Sequence, residues 1–452
     1  MQAPLSPPPL DGLLAKLAAT EITQAITRGP LVKSRYLHWD QLRHRKPPED
    51  LSLEVWWAGI KLSRHSLYKN LPFTDKYGRP FVYGMPDPVL QSLHRIDRNA
   101  AGQVIMEEQV VAPDDRNRYL VSSLIEEAIT SSQLEGAATT REEAKAMLRS
   151  GREPRDRSER MIMNNYHVME MIREIKDEAL TPELVLEIHH IVSQGTLDDP
   201  SAAGRLRQAG EKVHVVDAQH STVLHTPPDA AELPERLERL CAFANQADTE
   251  EPFVHPAIRA ILLHFMLGYD HPFVDGNGRT ARALFYWSMA HQGYWLMEYI
   301  SISRLLRMAP AQYARAYLHT ETDDNDTTYF ILHQLDVIER AIQGLHDYLA
   351  HKAAQQQSAE KLLRRSPALA DALNHRQIAL LSHALKNPGH RYTIESHLRS
   401  HKITYQTART DLLKLEATGL LVKSKRGRSF VFIAPDDLKE RIEAHADTGF
   451  GN

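Results

Sequence analysis

The stretch His271-Pro272-Phe273-Val274-Asp275-Gly276-Asn277-Gly278-Arg279-Thr280-Ala281-Arg282 limits what this chain can become more than any other part of it. Gly276, Asn277 and Gly278 sit badly in a helix or strand, since glycine costs about 1 kcal/mol inside a helix and visits positive φ freely. Arg279 to His291 is rich in helix formers, with apolar residues at Ala283, Leu284 and Trp287. The tripeptide is therefore a loop feeding a helix N-terminus, where backbone N–H groups and the helix dipole attract anions. Arg279 and Arg282 share one face of the first turn and can fork onto phosphate oxygens. Asp275 stands at the rim, where one carboxylate joined by nucleotide oxygens suits Mg²⁺. His271 supplies an imidazole able to take a proton near neutral pH. Each residue alone fits an ordinary charged turn. Together they describe a phosphate-handling site.

The stretch resembles the signature of the Fic-domain family, HPFx-[DE]-GNGRxxR, and matches it at every signature position. The resemblance extends over roughly residues 118–347 and implies a mainly α fold, a Fic-type helical core with a β-hairpin flap. It also implies transfer of AMP from ATP to a Ser, Thr or Tyr hydroxyl of a protein. ATP phosphates would lie on Gly276, Asn277 and Gly278 and be held by Arg279 and Arg282. Mg²⁺ on Asp275 would bridge the α- and β-phosphates, and His271 would be the base. The intact Gly–Asn–Gly nest favours AMP transfer over γ-phosphate transfer, while the motif equally permits removal of AMP. Ser131-Ser132-Gln133-Leu134-Glu135-Gly136 resembles the inhibitory motif [ST]-x-x-x-E-[GN]. Ser131 and Glu135 would then act as a brake, with Glu135 paired to Arg282. The plainer reading makes Glu135 a helix-end carboxylate, an unfavourable place for negative charge.

Two β-branched runs, Lys212–Val216 and Ser221–Pro228, read as a hairpin. A hairpin can be mere decoration. In the family it is a flap that clamps the target as an added strand, which singles out Val213, Val215 and Thr226. Gly204-x-x-Arg207 and Thr226-Pro227-Pro228 are similar to the family pattern. A metal set of His255, His264, His271 and Asp275 fits no common zinc spacing, and packing is the better account of His264.

Residues 1–115 read as a mainly helical N-terminal region, with helices over 13–29 and 49–70 and a hairpin over 73–83. The core follows at 116–347, with the inhibitory helix near 121–136. A linker helix over 348–372, a module over 373–435 and a tail over 436–452 complete the division. The module reads as three helices and a hairpin, which is similar to a winged helix-turn-helix. Residues 374–434 hold eleven Lys/Arg against three acidic residues, in a chain of net charge −4. That local excess suits double-stranded DNA, with Tyr405, Gln406 and Arg409 toward the major groove and Lys425, Arg426 and Arg428 on the wing. Winged helices also dock proteins. A single cysteine, Cys241, excludes internal disulfides and fits the cytoplasm. No apolar run is long enough to span a bilayer, and the first residues lack a signal-peptide pattern.

The expected partner is a protein substrate, the chain itself among the candidates, with a homodimer left open. The rival class is a nucleotide-sensing, DNA-binding transcriptional regulator, against which an intact His271 argues, because sensing needs no base.

Overall fold

A computed structural model describes residues 3–101, 113–217, 222–247, 249–364, 372–387, 389–401, 403–426 and 429–448. The fold is mostly helical, with three small antiparallel sheets. Two compact units appear, Met1–Leu345 and His346–Asn452.

In the first unit the most deeply buried element is helix Pro256–Asp270, in which Ile258, Ile261, Leu262 and Phe265 are all fully buried. Pro256 in its first turn and His255 as N-cap, accepting from the Ala257 N–H, explain where it begins. It packs along helix Asn277–His291, which is also buried all round, with Leu284, Phe285 and Trp287 at 0% exposure. Such all-round apolarity marks a central helix pair. Helices Pro113–Leu134, Arg157–Glu174 and Pro182–Ser193 surround the pair.

The described residues of the N-terminal region fall in one compact unit with the core. The reason is a buried ionic seam: Lys61 on helix Leu53–His65 meets Asp323 at 2.7 Å, and both side chains are essentially inaccessible. Val82 also bridges to Asp326 beside the Tyr68–Thr74/Pro80–Gly84 hairpin. The expected 13–29 helix is two short ones, Leu10–Leu14 and Ala19–Ile26.

The second unit runs helix His375–Lys386, strand Arg391–Tyr392, helix Ile394–His401, helix Tyr405–Ala417, then strands Val422–Arg426 and Ser429–Ile433. The last strand is central in its three-stranded sheet. Leu381, Leu412, Leu415 and Phe432 form its core. The expected tail is instead a helix, Leu438–Thr448, because Leu438 and Ile442 are apolar four apart and bury themselves in that core. The expected linker helix is continuous with the end of the first unit in helix Thr328–Arg364; residues 365–371 lie outside the described residues. Among the described residues no helix is long and apolar enough to cross a membrane.

Candidate active site

The loop between the two central helices carries the motif, and its backbone is specified residue by residue. His271 ends helix Pro256–Asp270 in the left-handed conformation, φ 45° and ψ 56°. Glycine takes that position easily and a larger residue at a cost of order 1 kcal/mol or more, so histidine there is retained for its side chain. Its Nδ1 lies 3.1 Å from the Gly268 carbonyl, which can only accept. The proton is thus on Nδ1, and Nε2 is left as the basic nitrogen. Burial lowers the pKa of His271, opposed by the Gly268 bond.

Phe273 is wholly buried and stacks on His189 at 3.7 Å. Asn277 holds the loop shut: its Oδ1 accepts from the Phe273 N–H at 2.9 Å and its Nδ2 donates to the Phe273 carbonyl at 2.8 Å. The Asn277 side chain is thus spent on the loop, and its backbone N–H remains at the helix start. Asn277→Ala is expected to cost about 1–3 kcal/mol, measured by urea unfolding, because both Phe273 backbone groups lose their partner. Gly276, at φ 84°, caps helix Asn277–His291. Arg279 is fully buried, with Nη1 on the Val192 carbonyl at 2.9 Å. Its Nε and Nη2, and Nη1 of Arg282, are buried donors with no hydrogen-bond partner. Buried donors of this kind beside a nest suit an anion.

Glu135 lies one residue past helix Pro113–Leu134 and reaches Arg282 Nη2 at 2.8 Å. Arg282 Nε and Nη2 also hold Ser131, through Oγ at 2.8 Å and the carbonyl at 3.0 Å. Burial would lower the pKa of Arg282, but Glu135 and its hydrogen bond outweigh that and raise it. A Cβ on Gly278 would collide with the Glu135 carboxylate, so Glu135 rests directly on the nest.

Asp275 is half-exposed, accepts from the Gly276 N–H at 2.6 Å and faces Arg157 at 3.5 Å and Arg279 at 3.9 Å. Among the described residues no three His, Cys, Asp or Glu converge on a metal position. His264 is buried against the Tyr313 hydroxyl at 2.7 Å and His255 against Asp97 at 3.0 Å, which leaves the zinc reading without a cluster.

Two residues outside the motif hold it in place. His189 accepts from the Gly204 N–H on Nδ1 and so donates from Nε2 to the Asp275 carbonyl at 2.9 Å. Burial takes its pKa down to about 4, which keeps that tautomer fixed. Arg207 donates to the His271 carbonyl at 2.9 Å and to the Pro228 carbonyl at 2.5 Å. Gly204 and Arg207 were visible as a pair in the sequence; nothing there marked His189.

The flap forms, but shorter than expected. Val215–Asp217 pairs antiparallel with Thr222–His225, and residues 218–221 lie outside the described residues. Val213 precedes the first strand and Thr226 follows the second, its carbonyl accepting from Lys76 at 3.2 Å, so only Val215 of the three stands on a strand. Val215, Leu224 and His271 line a cavity of about 200 Å³ together with Glu135, Arg282 and Tyr317. A larger cavity of about 790 Å³ lies on the other face of helix Pro310–Thr322. It contains no motif residue, so the smaller one is the site.

The site thus joins an anion nest, an imidazole at one end and aromatic walls at the other. Residues 179–289 match the Fic/DOC family, and the chain carries a Fic domain there. Over 111 residues it is 40% identical to protein adenylyltransferase Fic of Nematostella vectensis, covering 24% of this chain and 22% of that one. Over 120 residues it is 31% identical to the protein of that name in Drosophila ananassae, covering 26% and 22%. The matches therefore span about a fifth of these relatives' length. The fold is similar to that of a Fic family protein from Desulfovibrio desulfuricans G20, with a TM-score of 0.53 and 17% identity over 80% of this chain and 99% of that one.

Proposed function

We propose that the chain is a protein adenylyltransferase held inactive by Glu135. One observation carries the reading: Arg282, aimed across the nest, is bound by Glu135 and Ser131 while its Nη1 lacks a partner. A triphosphate needs that guanidinium, and the carboxylate occupies it. The nest would hold the phosphates of ATP. The apolar end, with Tyr317 and Leu224, suits a flat base. His271 Nε2 takes the target hydroxyl's proton as its oxygen bonds to the α-phosphorus. The bond to the bridging oxygen breaks, and pyrophosphate leaves. Mg²⁺ fits here with Asp275 as its one protein carboxylate and the phosphates and water as its other ligands, and it would neutralise charge on those phosphates.

The test is label transfer from α-labelled ATP. Wild type should incorporate little, and Glu135→Gly about 10²-fold more, the order expected when one charge donor is restored. Equal incorporation would end the brake. No transfer from any form, with ATP still bound, would favour AMP removal or nucleotide sensing.

For the second unit we propose duplex DNA binding through a winged helix-turn-helix. Tyr405, Gln406 and Arg409 stand exposed on helix Tyr405–Ala417, and Lys425 is exposed on the hairpin. Arg426 ends its strand, and Arg428 lies outside the described residues. Duplex affinity measured by anisotropy should fall steeply with salt, and Arg409→Ala should cost about 1–3 kcal/mol on one sequence alone. Salt-independent binding would make the unit a protein-docking module.

A further inference from the structure

His225 takes no part in the transfer just described, yet its ring is buried in the wall of the same cavity and bonded at both nitrogens. Nε2 lies 2.7 Å from the Tyr269 carbonyl, two residues before His271 on the helix that carries the base. Nδ1 lies 2.7 Å from Glu321 Oε2, on the helix that brings Tyr313 and Tyr317 to the cavity. A carbonyl only accepts, so Nε2 donates to Tyr269, while Nδ1 and Glu321 share the second hydrogen bond.

We infer that His225 is a positioning residue for the flap: bonded at both ring nitrogens, it clamps the hairpin to the base helix and to helix Pro310–Thr322. The flap needs such a clamp. Its strands have three and four residues, and a two-stranded hairpin of that size is not stable by itself. Val216 and Val223 are about half exposed and contribute little packing. With His225 in place, the edge on which a target strand would lie keeps a fixed height relative to His271.

The inference deepens the transfer reading, but its first measurement does not depend on transfer. Hydrogen exchange at residues 222–225 should quicken about tenfold or more in His225→Ala and stay near wild type in Glu321→Gln. With Glu135→Gly as background, His225→Ala should raise KM for the protein target more than it lowers kcat. Unchanged flap exchange in His225→Ala overturns the clamp. Faster exchange without any label transfer would uphold the clamp and sink the transferase instead.

Discussion

In the Glu135→Gly protein, His271→Ala should cut transfer of label from α-labelled ATP by about 10²–10⁴, the range for loss of a general base. ATP affinity, measured by calorimetry, should stay within a few-fold, because the phosphates rest on the nest and on Arg279 and Arg282 rather than on the imidazole. The pH profile should carry the same signature. Burial moves His271 below the ordinary imidazole value of about 6.5. A base works unprotonated, so a lowered pKa keeps it competent further into acid, and the acid limb of kcat/KM should fall below that value and disappear with His271. Transfer that survives His271→Ala at full rate would remove the base from the mechanism.

Why this loop could be read before it was seen, and its supports could not, is a matter of sequence distance. The nest, the paired arginines and the base occupy adjacent positions, and their chemistry follows from local backbone rules. The Glu135–Arg282 pair was legible through the resemblance of Ser131–Gly136 to the inhibitory motif, and a carboxylate at an unfavourable helix end added to it. Asn277 was read as part of the nest, and that its amide also closes the loop on the Phe273 backbone was not legible. His189 lies 86 residues from the carbonyl it holds, on a helix whose histidines, His189 and His190, look alike in sequence. Only packing decides which of the two faces Asp275. The flap shows the same limit. Alternation predicted a hairpin, while the register, which leaves Val213 and Thr226 outside, depends on where His225 meets Tyr269 and Glu321. The tie between the N-terminal region and the core was not legible for a related reason, since Lys61 and Asp323 lie more than two hundred residues apart.

That seam should give the largest stability loss of any single change away from the site. Asp323 is fully buried, accepts from Lys61 at 2.7 Å and from the Tyr329 hydroxyl at 2.6 Å, and lies 4.0 Å from Arg64. Lys61 and Arg64 are themselves buried, and the Arg64 guanidinium lies 3.6 Å from the centre of the Tyr36 ring. Removing one member of a buried pair strands the other, at about 3–5 kcal/mol. Asp323→Ala should therefore lower unfolding free energy by that amount, tempered by Asp324, which also reaches Lys61 at 3.2 Å. Burial tends to raise the Asp323 pKa, but Lys61, Arg64 and the Tyr329 bond more than offset it and leave it depressed. A depressed carboxyl stabilises above its unfolded value of about 3.9 and loses that contribution as pH falls through the folded value. Wild type should thus hold its advantage over Asp323→Ala from neutral pH down to that range and lose it below. Lys61→Met with Asp323→Leu tests the cause, because swapping both charges for apolar groups should recover most of the loss. Because residue 323 directly follows the helix that carries Tyr313, Tyr317 and Glu321 into the cavity, Asp323→Ala should also weaken ATP binding, while the double variant restores it. A double variant as unstable as Asp323→Ala would mean that packing around the seam, rather than a stranded charge, sets the cost.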